Sequence, residues 1–314
     1  MAAFLLRRLG MLILTLVAAG VVIFLVLDIL PGDPASVMLG LNATPEALHA
    51  IRAELGLDQP VLARFFGWFF GFFRGELGLS HAYRVPVAGL ITERLPLTLP
   101  LAALALMIAA SLGITLGAFA ATRAKAGQDS LIMGVTQVGL AIPNFWLGIL
   151  LVLAFAITWP LLPAGGFPGW QNGLWPGLKA LILPAIALGL PQAAVIARIT
   201  RSSVLETLRE DYVRTARAKG LSRAEVLRRH VLRNAAVPIL TLLGLQASVL
   251  VAGTIIVEAV FALPGLGRLL FQAIGGHDLM LIRSLVMLFI AMVMVINALV
   301  DIAVAYVDPR ARAW

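Results

Sequence analysis

The residues able to do chemistry are few and scattered. The four histidines, His49, His81, His230 and His277, include no pair at metal-ligand helical spacing, and there is no cysteine. Thiolate metal sites, thiol nucleophiles and disulfides are therefore excluded. The three lysines are Lys125, Lys179 and Lys219, and none follows a glycine. A phosphate-cradling loop needs a glycine-rich turn that ends in Gly-Lys-Ser/Thr. The chain is not expected to bind ATP, so energy for any work must come from a partner or an ion gradient. No histidine lies in an apolar stretch, and no Ser/Lys or Asp/Asp pairing has catalytic spacing, which argues against an intramembrane enzyme. No catalytic residue, metal or cofactor is expected on this chain.

A second set of polar residues sits inside long apolar stretches. Asn297 and Asp301 are four residues apart and share a helix face. Polar groups in a membrane usually face protein or a cavity. Structural anchoring is favoured over solute contact for both, with Asp301 nearer the inner end. An ion-coupled transporter would need such carboxylates near mid-membrane, and Asp301 is off-centre. Asp28 reads as an interfacial charge with water access. Glu258 sits near the outer end of the fifth apolar stretch. Pro143-Asn144 either breaks its helix and exposes carbonyls or forms a packed kink. Gly113 and Gly117 make a small-xxx-small motif for close helix approach, within the chain or to a second one.

These residues need a membrane-embedded helical frame. The chain is 61% hydrophobic and 13% charged, with mean hydropathy +0.97. Soluble domains run near 45–50% and 25%. Six stretches are long enough to span about 30 Å of hydrocarbon: about 9–30, 97–121, 131–159, 178–197, 237–261 and 285–307. Pro184 and Pro191 interrupt the fourth. The formal charge of +8 is dispersed between the apolar runs, which fits cationic cytoplasmic loops better than nucleic acid. Sixteen of the 24 Lys and Arg fall on one side if the N-terminus is inside, and eight on the other. Both termini are then expected in the cytoplasm. The fold expected is an all-α membrane protein, one domain over residues 1–314. An outside segment covers 31–95, and an outside loop, 160–177, holds four Pro and five Gly. In the former, 60–73 is crowded with Phe and reads as an interfacial amphipathic helix, compatible with a lid over a pore. His277-Asp278 reads as solvated.

The inside loop, 200–236, carries the most information. Thr200–Lys219 is predicted to be one helix, with Val204, Leu205, Leu208, Tyr212 and Ala216 on a shared face. Arg217 and Lys219 suit its C-terminal dipole, and Gly220 can cap it at positive φ. Ser222 and Glu225 form a capping box for a second helix, to about Ala235, with Ala224, Leu227 and Val231 on one face. Arginines that only enforce topology or touch anionic lipid would explain the charge. The ordered helix–Gly–helix favours docking of a cytoplasmic partner.

Here the chain resembles a known family. The run Arg214-Thr215-Ala216-Arg217-Ala218-Lys219-Gly220, continuing to His230-Val231-Leu232-Arg233-Asn234-Ala235 and Pro238, is similar to the signature loop of ABC importer permeases. The general pattern begins Glu-Ala-Ala. The departure at Arg214 and Thr215 resembles the dipeptide/oligopeptide/nickel branch. Support comes from Leu30-Pro31-Gly32-Asp33-Pro34, Leu77-Gly78-Leu79-Ser80, Arg94-Leu95-Pro96-Leu97-Thr98-Leu99, Ile142-Pro143-Asn144-Phe145-Trp146, the segment from Glu258 to Arg268, and Asp308-Pro309-Arg310, in order along the chain. The resemblance implies a type I ABC importer permease in a bacterial inner membrane. It implies a related second permease, two cytoplasmic ATPases that use ATP and Mg, and an extracytoplasmic solute-binding protein. Arg214, Thr215, Ala216, Arg217, Lys219, Gly220, Ser222 and Glu225 would form the ATPase-coupling loop. Pro143, Asn144, Glu258, Asn297 and Asp301 are the pore or gate candidates.

Overall fold

The structure, a computed structural model, describes residues 2–29, 44–54, 58–123 and 128–307. The motifs at 31–34 and 308–310, and Lys125, lie outside the described residues. Among the described residues the chain is helical, with one isolated bridge between Leu79 and Pro86. The helices are α1 (Ala2–Ile29), α2 (Pro45–Glu54), α3 (Val61–Arg74), α4 (Val87–Thr122), α5 (Gln128–Ala141) and α6 (Asn144–Val152). After them come α7 (Leu174–Thr207), α8 (Asp211–Ala218), α9 (Arg223–Glu225), α10 (Leu232–Val260), α11 (Leu266–Gly275) and α12 (Leu279–Val307). A π-helical segment, Leu153–Thr158, extends α6, and another, Val226–Val231, joins α9 to α10.

Among the described residues, five helices are long and apolar enough to cross a membrane: Leu6–Asp28, Val87–Thr122, Leu174–Thr207, Arg223–Val260 and Leu279–Val307. A bent pair of helices makes a sixth candidate when the two are counted as one span. Met133–Ala141 and Asn144–Thr158 meet at 96°. Pro143 explains the bend: it has no N–H to donate, and it stands in extended conformation (ψ 139°) as the N-cap of α6. Several helices outrun their apolar stretches. At 36 residues α4 is about 54 Å long, well beyond a hydrocarbon core.

Two compact units can be described. One holds Leu99–Leu263 and the end of α12 from Val293, and the other holds Ala2–Thr98 with Pro264–Met292. In the first, α7 is central, with 72% of its apolar window buried against 22% for α1 in the second. Its buried Pro184 and Pro191 stay within a continuous helix, as proline can in a membrane helix with close neighbours. The helices α4 and α7 run parallel at close range. A Cβ on Gly189 would lie 2.5 Å from the Ala105 carbonyl oxygen, one on Gly113 2.6 Å from Ile196, and one on Gly117 2.3 Å from the Ala197 oxygen. The small-xxx-small motif thus acts within the chain, where backbone proximity gives van der Waals contact that lipid cannot match.

In the second unit, α3 lies against α1. Phe69 covers Gly20, and Phe24 meets Phe65 edge-on at 5.5 Å. Arg64 pairs with Asp28, and Arg283 stacks over Phe24 at 4.5 Å. Asp28 is therefore ion-paired rather than simply hydrated. Asp278 is buried, against the expectation of a solvated loop. Its carboxylate accepts from Ser80 Oγ (2.5 Å) and from the N–H groups of Ala82 and Leu281 (both 3.1 Å). These bonds satisfy the acid, cap the start of α12 and tie down the 79–86 loop.

Candidate functional site

The inside loop folds as two linked pieces, and neither is the long helix that sequence spacing predicts. A turn at Leu208–Glu210 ends α7, with N–H donation from Arg209 to Glu206 (3.0 Å) and from Glu210 to Thr207 (3.2 Å). Glu210 is extended, and α8 restarts with Asp211 in its first turn, where a negative charge suits the dipole. The restart rotates the register. Val213 and Ala216 face inward, while Tyr212, expected on the buried face, is 41% exposed. Burial still pushes the Tyr212 phenol above its ordinary pKa. A hydrogen bond with Asn234 opposes the rise, and the Glu210 charge adds to it.

Gly220 closes α8 at φ +83°. Its N–H donates to Arg217 (3.0 Å), and the Leu221 N–H donates to Ala216 (3.4 Å). That is the paired bonding of a Schellman cap, which needs a left-handed residue. The next residue but one, Ser222, is the N-cap of α9. Ser222 Oγ accepts from the Glu225 N–H (3.3 Å), and the Ser222 N–H donates to Glu225 Oε2 (3.0 Å). The predicted capping box is present.

The chain then makes the π-helical segment 226–231 and runs on into α10, so the second loop helix and the fifth span are continuous from Arg223 to Val260. The π geometry shortens the angular step and brings residues five apart onto one side. Hence Val226 and Val231 are the buried pair, and Ala224, predicted on that face, is exposed. Val204, Val213, Ala216, Val226, Val231, Ala235 and Ile239 pack with Ala121 of α4 into one apolar cluster. It seats the loop on the ends of α4, α7 and α10. Arg214, Thr215, Arg217, Lys219, Gly220, Ser222 and Glu225 all remain exposed, an outer surface with three cations and one acid above the apolar cluster.

Three of the gate candidates lie on or against α10. A Cβ on Gly253 would stand 3.7 Å from the Asn144 amide nitrogen, and one on Gly148 would stand 2.9 Å from the Phe261 ring. Thus the residues just after the Pro143 break lean on the far end of α10. Glu258 and Thr254, one turn apart there, are fully buried. Leu263 N–H returns to the Glu258 carbonyl (2.9 Å), and Ala262 takes φ +50° in the turn. On another side, Ser248 Oγ lies 3.3 Å from Asn297 Oδ1, and a Cβ on Gly244 would meet Val300 at 2.7 Å. Asn297 therefore joins α12 to α10. Asp301, a turn further on, is half-buried. The structure brings Asn144, Glu258 and Asn297 to one helix, whose other end carries the loop surface.

Comparison with known proteins bears on this arrangement. The family model for binding-protein-dependent transport system inner membrane components matches residues 113–313, and that for the N-terminal part of the same membrane component matches residues 1–102. A putative peptide transport system permease protein of Brucella abortus is 42% identical over 99% of both chains. The dipeptide transport system permease protein DppB of Escherichia coli K12 is 37% identical, also over 99% of both. The fold is shared with a chain of the inward-facing MetNI methionine ABC transporter, at TM-score 0.59 and 18% identity, covering 70% of this chain and 96% of that one. Sequence, helical frame and relatives converge: this chain belongs to the family of binding-protein-dependent transport system inner membrane components, the multi-pass permeases of ABC importers.

Proposed function

We propose that this chain is one half of the pore of an ATP-driven importer for dipeptides or oligopeptides. Relatives named for peptide transport that match along nearly the whole chain support the solute class. The observation that carries the coupling role is the loop surface. Its cations stand on a helix–Gly–helix that a buried apolar cluster holds rigid. Topology signalling alone needs charge and not a fixed shape. In this reading the surface rests on a cytoplasmic ATPase subunit that binds ATP and Mg. A related second permease completes the pore, and a solute-binding protein delivers peptide from outside. Closure of the ATPases pushes on Arg214–Glu225, and the helix from Arg223 to Val260 carries the displacement toward Asn144 and Glu258. Two-state rocking of rigid elements is an established way to turn a local push into alternating access.

The test is uptake of a labelled dipeptide into proteoliposomes. The complete complex, with partner permease, ATPases and binding protein, should import on ATP and be silent without it. Uptake by this chain alone on an ion gradient would contradict the reading.

A further inference from the structure

A cavity of about 590 Å³ opens beside the loop that joins the π extension of α6 to α7. Pro163, Gly166, Phe167, Pro168 and Pro176 help to line it, and Lys179 is the one charged side chain of its lining. Its walls are fixed. Gly166 N–H donates to the Phe261 carbonyl (2.8 Å), and the Leu161 and Leu162 N–H groups both donate to Phe155 (3.0 Å). Phe167 meets Trp170 edge-on at 5.1 Å, and a Cβ on Gly177 would strike the Trp170 ring at 2.7 Å. Lys179 makes no ion pair among the described residues.

The surroundings of the mouth are apolar in a directed way. Ile149, Leu153 and Ile157 recur every four residues along α6 and its π extension, each at least 51% exposed, and Leu161, just beyond the helix, belongs to the cavity lining. Trp159 and Trp175 stand exposed where the two membrane helices end, as aromatic residues do at the membrane–water boundary. Lys179 follows Trp175 by four residues on α7, near that aromatic boundary, and shares the cavity lining with Leu161.

We propose that this cavity is a phospholipid site. The phosphate of a lipid with a net negative headgroup pairs with Lys179, and an acyl chain lies along Ile149, Leu153 and Ile157. Charge complementarity sets the headgroup: with no acid in the lining, the ammonium is offset best by a lipid carrying net negative charge. The apolar walls set the lipid itself, since they offer a free phosphate ion no second cation. The size falls in the usual range for small-molecule pockets.

The test is native mass spectrometry of the full-length chain, loaded from mixed micelles with equal phosphatidylglycerol and phosphatidylcholine. The wild type should retain phosphatidylglycerol with roughly fivefold preference, the factor equal to about 1 kcal/mol for one cation near an anionic surface. Lys179→Gln should fall to near parity and Lys179→Arg should keep the preference. Ile157→Ser should lower retention of both lipids. Equal retention of the two lipids by wild type, or a preference that survives Lys179→Gln, overturns the site. Displacement of the lipid by inorganic phosphate alone points to a free-anion pocket and also overturns it. So does loss of the preference when the chain is in its complete complex, which assigns the stripe to a subunit interface. If Lys179→Gln leaves lipid retention unchanged but weakens uptake of free peptides and not of amidated ones, the pocket takes the peptide carboxylate instead.

Discussion

Gly220 is held by its backbone angle and not by crowding. A Cβ there would meet nothing within 4 Å, yet φ is +83°. Gly220→Ala should therefore cost about 1–2 kcal/mol, the strain of an L-residue in the left-handed region, with no collision. Thermal unfolding of the purified chain checks this. Asn297 is a contrasting residue. Losing its 3.3 Å bond with Ser248 should cost only about 0.6 kcal/mol, the mean for such bonds between membrane helices. Asn297→Ala should lower stability slightly and leave the apparent KM for peptide unchanged. A large rise in KM would make it a solute contact. The Gly220 cap and the Ser222/Glu225 box were readable from residue types, because short-range backbone bonding dictates both. Asp278 was not. Its burial depends on Ser80 and Ala82, nearly 200 positions away in the chain, and no local pattern signals it.

At the level of elements, the two loop helices show where helical periodicity misleads. A continuous helix through 200–219 would bury Tyr212. The turn at 208–210 puts Val213 inside instead. The polar run Arg209-Glu210-Asp211 was the available signal, with acids placed for a helix start. The π segment at 226–231 hides similarly, since it changes register without a sequence marker. The consequence can be measured. Val213→Ala should destabilise by roughly 1–3 kcal/mol through lost burial and a cavity, whereas Tyr212→Ala should cost well under that. Equal costs would restore the single-helix register. The α4–α7 contact gives a second check. Gly117→Leu has nowhere to place its side chain against the Ala197 carbonyl and should cost about 1–3 kcal/mol or more, seen as a lower melting temperature. The break at Pro143 was legible as a possibility. The size of the bend, 96°, has no local marker in the sequence.

Across the whole molecule, the helix from Arg223 to Val260 joins the loop surface to the gate candidates. At 38 residues it is about 57 Å long, enough to connect one membrane face to the other. The lack of native cysteine makes its loop end easy to map. Arg217→Cys, on the exposed surface, should cross-link to an ATPase subunit in the assembled complex, and Val213→Cys, buried, should not. The central claim is that this surface couples ATP hydrolysis to transport, and Gly220→Trp tests it most directly. A Cβ at Gly220 meets nothing within 4 Å, and the indole adds bulk to the proposed contact surface. Uptake and ATP hydrolysis would be measured together in proteoliposomes of the complete complex, with Gly220→Ala as the strain control. The account predicts that Gly220→Ala keeps most of the coupling, while Gly220→Trp lowers peptide imported per ATP by at least about tenfold, a loss of about 1.4 kcal/mol in coupling. A Gly220→Trp complex that imports peptide with wild-type ATP economy would contradict it.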